Sequence, residues 1–209
     1  MGSASIFSKR LLVEGKDDLN VVANLCEAVG LPDNAFQIKE KGGYDRLKAS
    51  LEVELDDSNL QHLGILVDAD TNIQARWESL RHELLTAGYS GLPLQPAPEG
   101  TVVTQVRRPT VGVWIMPDNT LPGELEDFIP YLIPASDTLW PRARACVEQI
   151  PSLERPFKDD ISKAYIHTWL AWQTEPGRPL GQAITNRWLK PGTPQVSRFM
   201  DWLRRLFQL

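Results

Sequence analysis

The sequence predicts an α/β fold in which a mainly parallel sheet is flanked by helices. Segments of strand length alternate with segments whose apolar residues recur at helical spacing, as far as about residue 132. The apolar run at 63–67 is continuous, which is typical of a parallel strand covered on both faces. The predicted strands are 10–14, 36–39, 63–67, 102–106 and 111–116.

Glycine and proline mark the ends of the helices predicted between these strands. Gly30 ends the first helix and Pro32 follows it, while Gly88 ends the third. A short helix with an apolar face begins at Gly123. The predicted helices before it are 17–29, 44–56 and 73–87.

No strand is predicted after residue 134. Five of the seven tryptophans lie in this last part of the chain, and we expect them to fix its helices to the α/β body. The sequence therefore predicts an α/β domain over 8–135 and a helical extension over 136–209, packed as one unit. The predicted helices of the extension are 136–149, 159–174, 181–189 and 195–207.

The composition of the 209 residues, with 42% apolar and 23% charged, is that of a globular protein in water. No apolar run approaches the ~20 residues that cross a membrane, and no secretory signal is present. We therefore expect a cytoplasmic protein that is not bound to a membrane. Cys26 and Cys146 lie in helical patterns and are expected to be reduced core residues.

The net charge of −5 gives no overall nucleic-acid footprint. From Trp140 onward, however, eleven Lys or Arg residues stand against six Asp or Glu. This excess of positive charge fits a phosphate-binding flank beside an acidic body, and it equally fits an ordinary fluctuation of charge along a chain.

Acidic residues end or follow three of the predicted strands. Glu14 ends the first strand, Asp68 and Asp70 follow the third, and Asp118 follows the fifth, with the stretch GELEDF at 123–128 close behind. The carboxyl ends of parallel strands share one edge of a sheet, so these side chains are expected to converge there. Clustered carboxylates repel one another unless a cation neutralises them. An all-oxygen site without nearby His or Cys favours Mg²⁺ or Mn²⁺ over zinc.

Each acidic segment also has a purely structural explanation. The Asp70-Thr71-Asn72 segment offers good caps for the helix that follows. The acids of GELEDF are favourable in a first helical turn, and Asp17 and Asp18 are best explained as helix-start residues. The occurrence of acids at successive strand ends is what favours a cation site.

The motifs resemble those of a known domain. VEGKDD at 13–18 and VDAD at 67–70 resemble the two signatures of the Toprim domain, and VEGKDD is closest to small ribosomal-RNA-maturing ribonucleases. GELEDF at 123–128 is similar to the Glu-rich third motif of OLD (overcoming lysogenization defect) nucleases. The chain as a whole resembles small uncharacterised bacterial Toprim-like proteins. The resemblance covers about 8–135 and implies a Rossmann-like Toprim fold.

The resemblance also implies roles for the acidic residues. Glu14 matches the Toprim glutamate, a metal ligand or general acid–base, and Asp68 and Asp70 match the metal-binding aspartate pair. The implied ligands of the third motif are Glu124, Glu126 and, less directly, Asp127. The implied cofactor is Mg²⁺ or Mn²⁺.

OLD-type nucleases add a lysine after the Toprim core, and Lys158 and Lys163 are the candidates here. Lys163 would be catalytic by neutralising charge on the phosphate, and His167 lies on the same helix face. Lys16, Lys158 and His167 are candidate nucleic-acid contacts. The alternatives are that Lys163 is a solvated surface residue, His167 a packing residue and Lys16 a loop residue.

The leading hypothesis is therefore a divalent-metal-dependent nuclease that hydrolyses nucleic-acid phosphodiesters. One alternative is a Toprim module that binds nucleic acid or nucleotide without cutting it. Another is a partner subunit of an ATPase in phage defence or DNA repair, since OLD-type Toprim domains are often fused to ABC-type ATPases. The sequence has no Walker A motif, so such an ATPase would be a separate chain. DNA or RNA specificity and oligomeric state stay open.

Overall fold

The computed structural model of the protein describes residues 7–157 and 160–209 and confirms the predicted α/β fold. Five strands form one sheet in the order β2-β1-β3-β5-β4. The first four in this order are parallel, and β4 is an antiparallel edge strand. The strands are β1 (Lys9–Val13), β2 (Gln37–Glu40), β3 (His62–Asp68), β4 (Thr101–Val103) and β5 (Thr110–Met116).

The helices lie close to the predicted positions. Short 3-10 helices cover Ile129–Leu132 and Ser152–Glu154. The α-helices are α1 (Lys16–Ala28), α2 (Tyr44–Leu55), α3 (Ile73–Thr86), α4 (Leu125–Phe128), α5 (Leu139–Glu148), α6 (Ile161–Ala171), α7 (Leu180–Thr185) and α8 (Pro194–Phe207).

Both faces of the sheet are covered, which explains the continuous apolar run of β3. Leu63, Ile65 and Val67 enter the core formed with α2 and α3. Leu66 points to the opposite face and enters the core formed with α1 and the C-terminal helices. Because successive side chains of a strand alternate between faces, a strand buried on both sides has no polar position to offer.

The last helix packs directly on the sheet at two glycines. Gly64 of β3 and Gly112 of β5 are register partners. A Cβ atom added at these glycines would lie 3.1 Å and 2.6 Å, respectively, from Cδ2 of Leu206 on α8. Trp202, one turn earlier on α8, donates its indole N–H to the carbonyl of Thr101 at 3.2 Å. The C-terminal helix therefore shares the main core and holds the edge strand.

Two details differ from the sequence-based predictions. Strand β4 ends at Val103 instead of residue 106, since the chain turns through Arg107 at a φ of 62°. Cys146 is exposed on α5, whereas Cys26 is partly buried as expected. In the part of the chain that the structure describes, no helix is long and apolar enough to cross a membrane.

Candidate functional site

The candidate site lies at the carboxyl edge of the sheet, beyond the ends of β1 and β3. From β1 the chain first adds β2 on one side and then returns to place β3 on the other. This reversal leaves a crevice between the connections, which is where α/β sheets bind ligands. Glu14 follows β1 directly, and Asp68 is the last residue of β3.

The Glu14 segment is fixed by hydrogen bonds at both its main chain and its side chain. Its carbonyl oxygen accepts the N–H groups of Gly42 and Gly43, each at 2.9 Å. Its Oε1 atom accepts the N–H of Asp68 at 2.9 Å. Gly42 and Gly43 have φ values of 74° and 111°, a region that favours glycine, so the loop can approach Glu14 closely. Glu14 is therefore positioned against the end of β3 before any ligand binds.

Asp68 is the electrostatic centre of the site. Its Oδ1 atom is buried and has no hydrogen-bond partner among the described residues. Burial, followed by the negative charges of Asp18, Glu14, Glu124 and Glu126, raises the pKa of the Asp68 carboxyl to about 9. The charges of acidic residues that follow β1, lie in the first turn of α1 and begin α4 therefore act on the Asp68 carboxyl.

Two residues at the start of α4 complete the acidic cluster, which we define as Glu14, Asp18, Asp68, Glu124 and Glu126. Glu124 is the N-terminal cap of α4. Glu126 is 8% exposed. Burial, with the nearby carboxylates of Glu124 and Asp18, raises the pKa of Glu126 to about 7 although the charge of Lys163 opposes this shift.

Asp127 serves the local structure instead of facing the cluster. Its Oδ2 atom accepts the N–H of Glu124 at 2.9 Å, which closes the first turn of α4. Its Oδ1 atom accepts the hydroxyl of Ser162 on α6 at 2.5 Å. Asp127 therefore joins the third acidic motif to the helical extension.

Lys163 contacts the acidic cluster from α6. Its Nζ atom lies 2.7 Å from Oε2 of Glu124 and 3.5 Å from Oδ1 of Asp160. The hydrogen bond to Glu124 and the charge of Glu126 outweigh desolvation, so the pKa of Lys163 rises above its usual value. Lys163 is thus a charged partner of the cluster, with 40% of its side chain exposed.

Asp70 is paired with Arg76 beside the cluster, where the charges of both residues act on Glu14. The two side chains form an ion pair, and the Arg76 guanidinium lies 3.6 Å from the ring centroid of Tyr44. The carbonyl of Asp70 accepts the N–H of Gly123 at 2.7 Å, which ties the VDAD motif to the GELEDF motif. The helix cap is Asn72, whose side chain accepts the N–H of Ala75 at 3.0 Å.

The strand-end acid Asp118 is also absent from the cluster. Its Oδ1 atom accepts hydrogen bonds from the Thr120 N–H at 3.0 Å, the Thr120 hydroxyl at 2.7 Å and the Leu121 N–H at 2.9 Å. Its carboxylate is therefore used to close the turn after β5, a common role for an aspartate at this position.

The predicted nucleic-acid contacts are only partly located. Lys16 is exposed at the first turn of α1, and His167 is exposed on α6 one turn beyond Lys163. Lys158 lies outside the described residues. Exposure alone does not test whether Lys16 and His167 contact nucleic acid, so these roles stay predictions.

Two site residues were missed at the level of sequence. Asp18 does begin α1, since its side chain accepts the Gly15 N–H at 2.9 Å. It is also buried within the acidic cluster, and burial raises its pKa to about 6. Arg76 was not recognised because Asp70 precedes α3, and the six-residue spacing between them is not one of the i,i+3 or i,i+4 spacings that indicate an ion pair. The Asp18 position at N3 was visible, but it indicated only a cap.

The oxygen atoms of the acidic cluster are the kind of ligand that a hard divalent cation prefers, but the carboxylates are not arranged around a single cation position. Among residues 7–157 and 160–209, no three Asp, Glu, His or Cys side chains are arranged to hold a metal ion. The unpaired Asp68 oxygen and the neighbouring carboxylates are all-oxygen donors of the kind Mg²⁺ and Mn²⁺ accept. Glu124 is engaged by Lys163, so it would have to exchange that partner to become a ligand.

We expect the metal-free protein to lose stability as the pH rises from 5 to 9. The raised pKa values of Asp68, Glu126 and Asp18 mean that the folded chain keeps protons that the unfolded chain releases near pH 4. The stabilisation by these protons is complete below the unfolded pKa and disappears as the pH passes the folded pKa. Thermal unfolding in EDTA at pH 5, 7 and 9 measures the trend.

Asp68→Asn isolates the largest contribution to this trend. The lowered pKa of His62 acts in the opposite direction near pH 6, but it is common to both proteins. The free energy of unfolding of Asp68→Asn should therefore rise relative to wild type by about 1–3 kcal/mol between pH 5 and 9. Parallel pH profiles for the two proteins would show that Asp68 is not buried among charged neighbours.

The fold and the site define an α/β protein with a carboxylate cluster at the topological switch point of its sheet. The chain belongs to a family described as proteins of unknown function (DUF3226), whose model matches residues 8–208. Comparison with curated proteins and with solved structures gave no match.

Proposed function

We propose that the protein is a divalent-metal-dependent nuclease that hydrolyses nucleic-acid phosphodiesters at the acidic cluster. The observation that supports this most directly is the unpaired, buried Oδ1 of Asp68 with four other carboxylates acting on it. Such an arrangement is unfavourable unless protons or a cation neutralise it. The resemblance of VEGKDD and VDAD to Toprim signatures supports the same proposal.

Different residues of the chain would have different roles in such a reaction. Asp68 and Glu126 would hold a cation, with Glu14 as a further ligand or as the base that accepts a proton from the attacking water. Mg²⁺ or Mn²⁺, when bound, would neutralise the phosphate and polarise that water. Lys163 lies beside Glu124, where its charge can offset the charge that develops on a phosphate.

Residues outside the cluster would act by positioning. Arg76 holds Asp70, and the Asp70 carbonyl in turn holds the loop before α4 through Gly123. Asp127 fixes both Glu124 and Ser162. These contacts hold the three acidic motifs in place relative to α6. We therefore propose that Asp70 and Asp127 support the site and are not the primary ligands of the cation.

A second candidate function is a module that binds nucleic acid or nucleotide without cutting it. The observation that favours it is the 2.7 Å contact between Lys163 and Glu124, by which the protein already neutralises one acid of the cluster. In that case a bound cation would be unnecessary, and the affinity for nucleic acid would not depend on Mg²⁺.

A direct assay separates the two candidates. Purified protein is incubated with end-labelled single- and double-stranded DNA and RNA, with Mg²⁺, with Mn²⁺ or with EDTA. We expect cleavage only with metal, and Glu14→Gln should lower it by about 10²-fold or more. Binding in EDTA with no cleavage of any substrate would favour the second candidate, whereas equal cleavage by Glu14→Gln and wild type would exclude Glu14 from the chemistry.

A further inference from the structure

A pocket of 240 Å³ opens beside the acidic cluster, between α4, α5 and α6. It shares Glu126 and Asp127 with the third acidic motif, so whatever fills it lies next to the proposed reaction site. The other residues that line it include Pro130, Trp140, Arg144, Ser162 and Tyr165.

The aromatic side chains give this pocket a shape suited to a flat ring. The rings of Trp140 and Tyr165 have centroids 6.4 Å apart and planes at 88°. A planar ligand can therefore stack on one ring while its edge meets the other, the two arrangements that aromatic groups prefer. The volume lies just below the ~300 Å³ at which pockets for larger ligands begin, so it suits one ring system.

The pocket also carries a cation at its rim. The Arg144 guanidinium lies 5.4 Å from the ring centroid of Tyr165. Its pairing with Glu148 is long, at 3.4 Å, and half of its side chain is exposed. An exposed pair of this kind is weak, so Arg144 is available to a phosphate.

From this arrangement we infer that the pocket binds one unpaired nucleobase of the substrate, with one of the Trp140 and Tyr165 rings stacking on the base, the other meeting its edge, and Arg144 contacting its phosphate. The inference rests on the proposed nuclease function and adds a substrate class to it. A base within a duplex cannot enter a pocket between helices, so the substrate is single-stranded or carries an extruded nucleotide.

The test compares two strands of equal charge. One is a fluorescent oligothymidylate, and the other is a strand of the same length whose nucleotides lack bases. Affinity is measured by anisotropy in Ca²⁺, which takes the same oxygen ligands as Mg²⁺, and gels verify that each strand stays intact. The wild-type protein should bind the strand with bases more tightly.

Trp140→Leu should lower the affinity for oligothymidylate by about 5- to 100-fold and leave the affinity for the abasic strand unchanged. Tyr165→Leu should act in the same direction, which keeps the test open if Trp140→Leu does not fold. Trp172→Leu is the matched control, because Trp172 is a 40% exposed tryptophan that does not line the pocket. Arg144→Gln should lower the affinity for both strands.

The outcomes separate this inference from the proposed function. If the wild-type protein cleaves nucleic acid but binds both strands equally, the base pocket is wrong and the nuclease stands. An equal loss on both strands in Trp140→Leu would likewise overturn the pocket. If no nucleic acid is bound or cut, both proposals fail together.

Discussion

Asp68→Asn is expected to lower metal-dependent cleavage by at least about 10²- to 10³-fold, the order that loss of one charge-stabilising group causes. The side chain keeps its size, but it loses the charge on the one buried oxygen of the site that has no partner among the described residues. Metal affinity should fall as well, since an amide is a weaker ligand for Mg²⁺ than a carboxylate. Calorimetric titration with Mn²⁺ and cleavage rates at saturating metal measure the two effects.

Asp118→Asn is the matched control for this substitution. Asp118 also follows a parallel strand, but its Oδ1 atom accepts three hydrogen bonds within its own turn. An asparagine keeps that oxygen as an acceptor, so the fold, the metal affinity and the cleavage rate should remain close to wild type. If Asp68→Asn and Asp118→Asn behave alike, the acidic cluster does not carry the activity.

The contrast between Asp68 and Asp118 shows what a sequence can and cannot predict about this site. Both residues follow apolar strands, and both were expected at the carboxyl edge of the sheet because parallel strands end together. For that reason, the edge of the sheet at which these acids lie could be predicted from the sequence. Which of the two acids lies unpaired depends on local hydrogen bonds, and the Asp-Asn-Thr sequence at 118–120 is a turn signal that could have identified Asp118.

The third motif illustrates a different limit. Glu126 and Asp127 are adjacent on α4, and successive helical residues point about 100° apart, so only one of them can face the cluster. Asp127 is held by the Glu124 N–H at the start of its own helix and by Ser162 of α6, while Lys163 of α6 engages Glu124. Contacts between segments this distant in sequence leave no local pattern. Arg76 lies only six residues after Asp70, but this spacing spans the start of α3 and is not one of the i,i+3 or i,i+4 spacings that indicate an ion pair.

Asp18 shows how a correct explanation can still be incomplete. Its position at the start of α1 and its hydrogen bond to Gly15 are those of a helix cap, as expected. The same side chain is buried against the cluster because α1 begins only two residues after Glu14. A tight connection between strand and helix thus gives one carboxylate both a structural position and an electrostatic effect on Asp68.

Lys163→Gln is expected to separate metal binding from catalysis. Removal of the ammonium group frees Oε2 of Glu124, which lies 2.7 Å from Nζ, so this carboxylate becomes available to a cation. We expect the affinity for Mn²⁺ to rise by up to about tenfold, the lower end of the range for changes in groups around a metal ligand. Cleavage at saturating metal should nevertheless fall by about 10²- to 10³-fold, because a fixed positive charge beside the phosphate is lost.

Two further variants assign the effect to the charge and to its position. Lys163→Arg keeps the positive charge on α6 and should recover part of the cleavage rate, while its metal affinity stays near wild type. His167→Gln changes an exposed residue one turn further along the same helix and should have a smaller effect than Lys163→Gln. A fall in metal affinity in Lys163→Gln would mean that the lysine helps to assemble the cluster. Unchanged cleavage in that variant would mean that its contact with Glu124 serves stability alone.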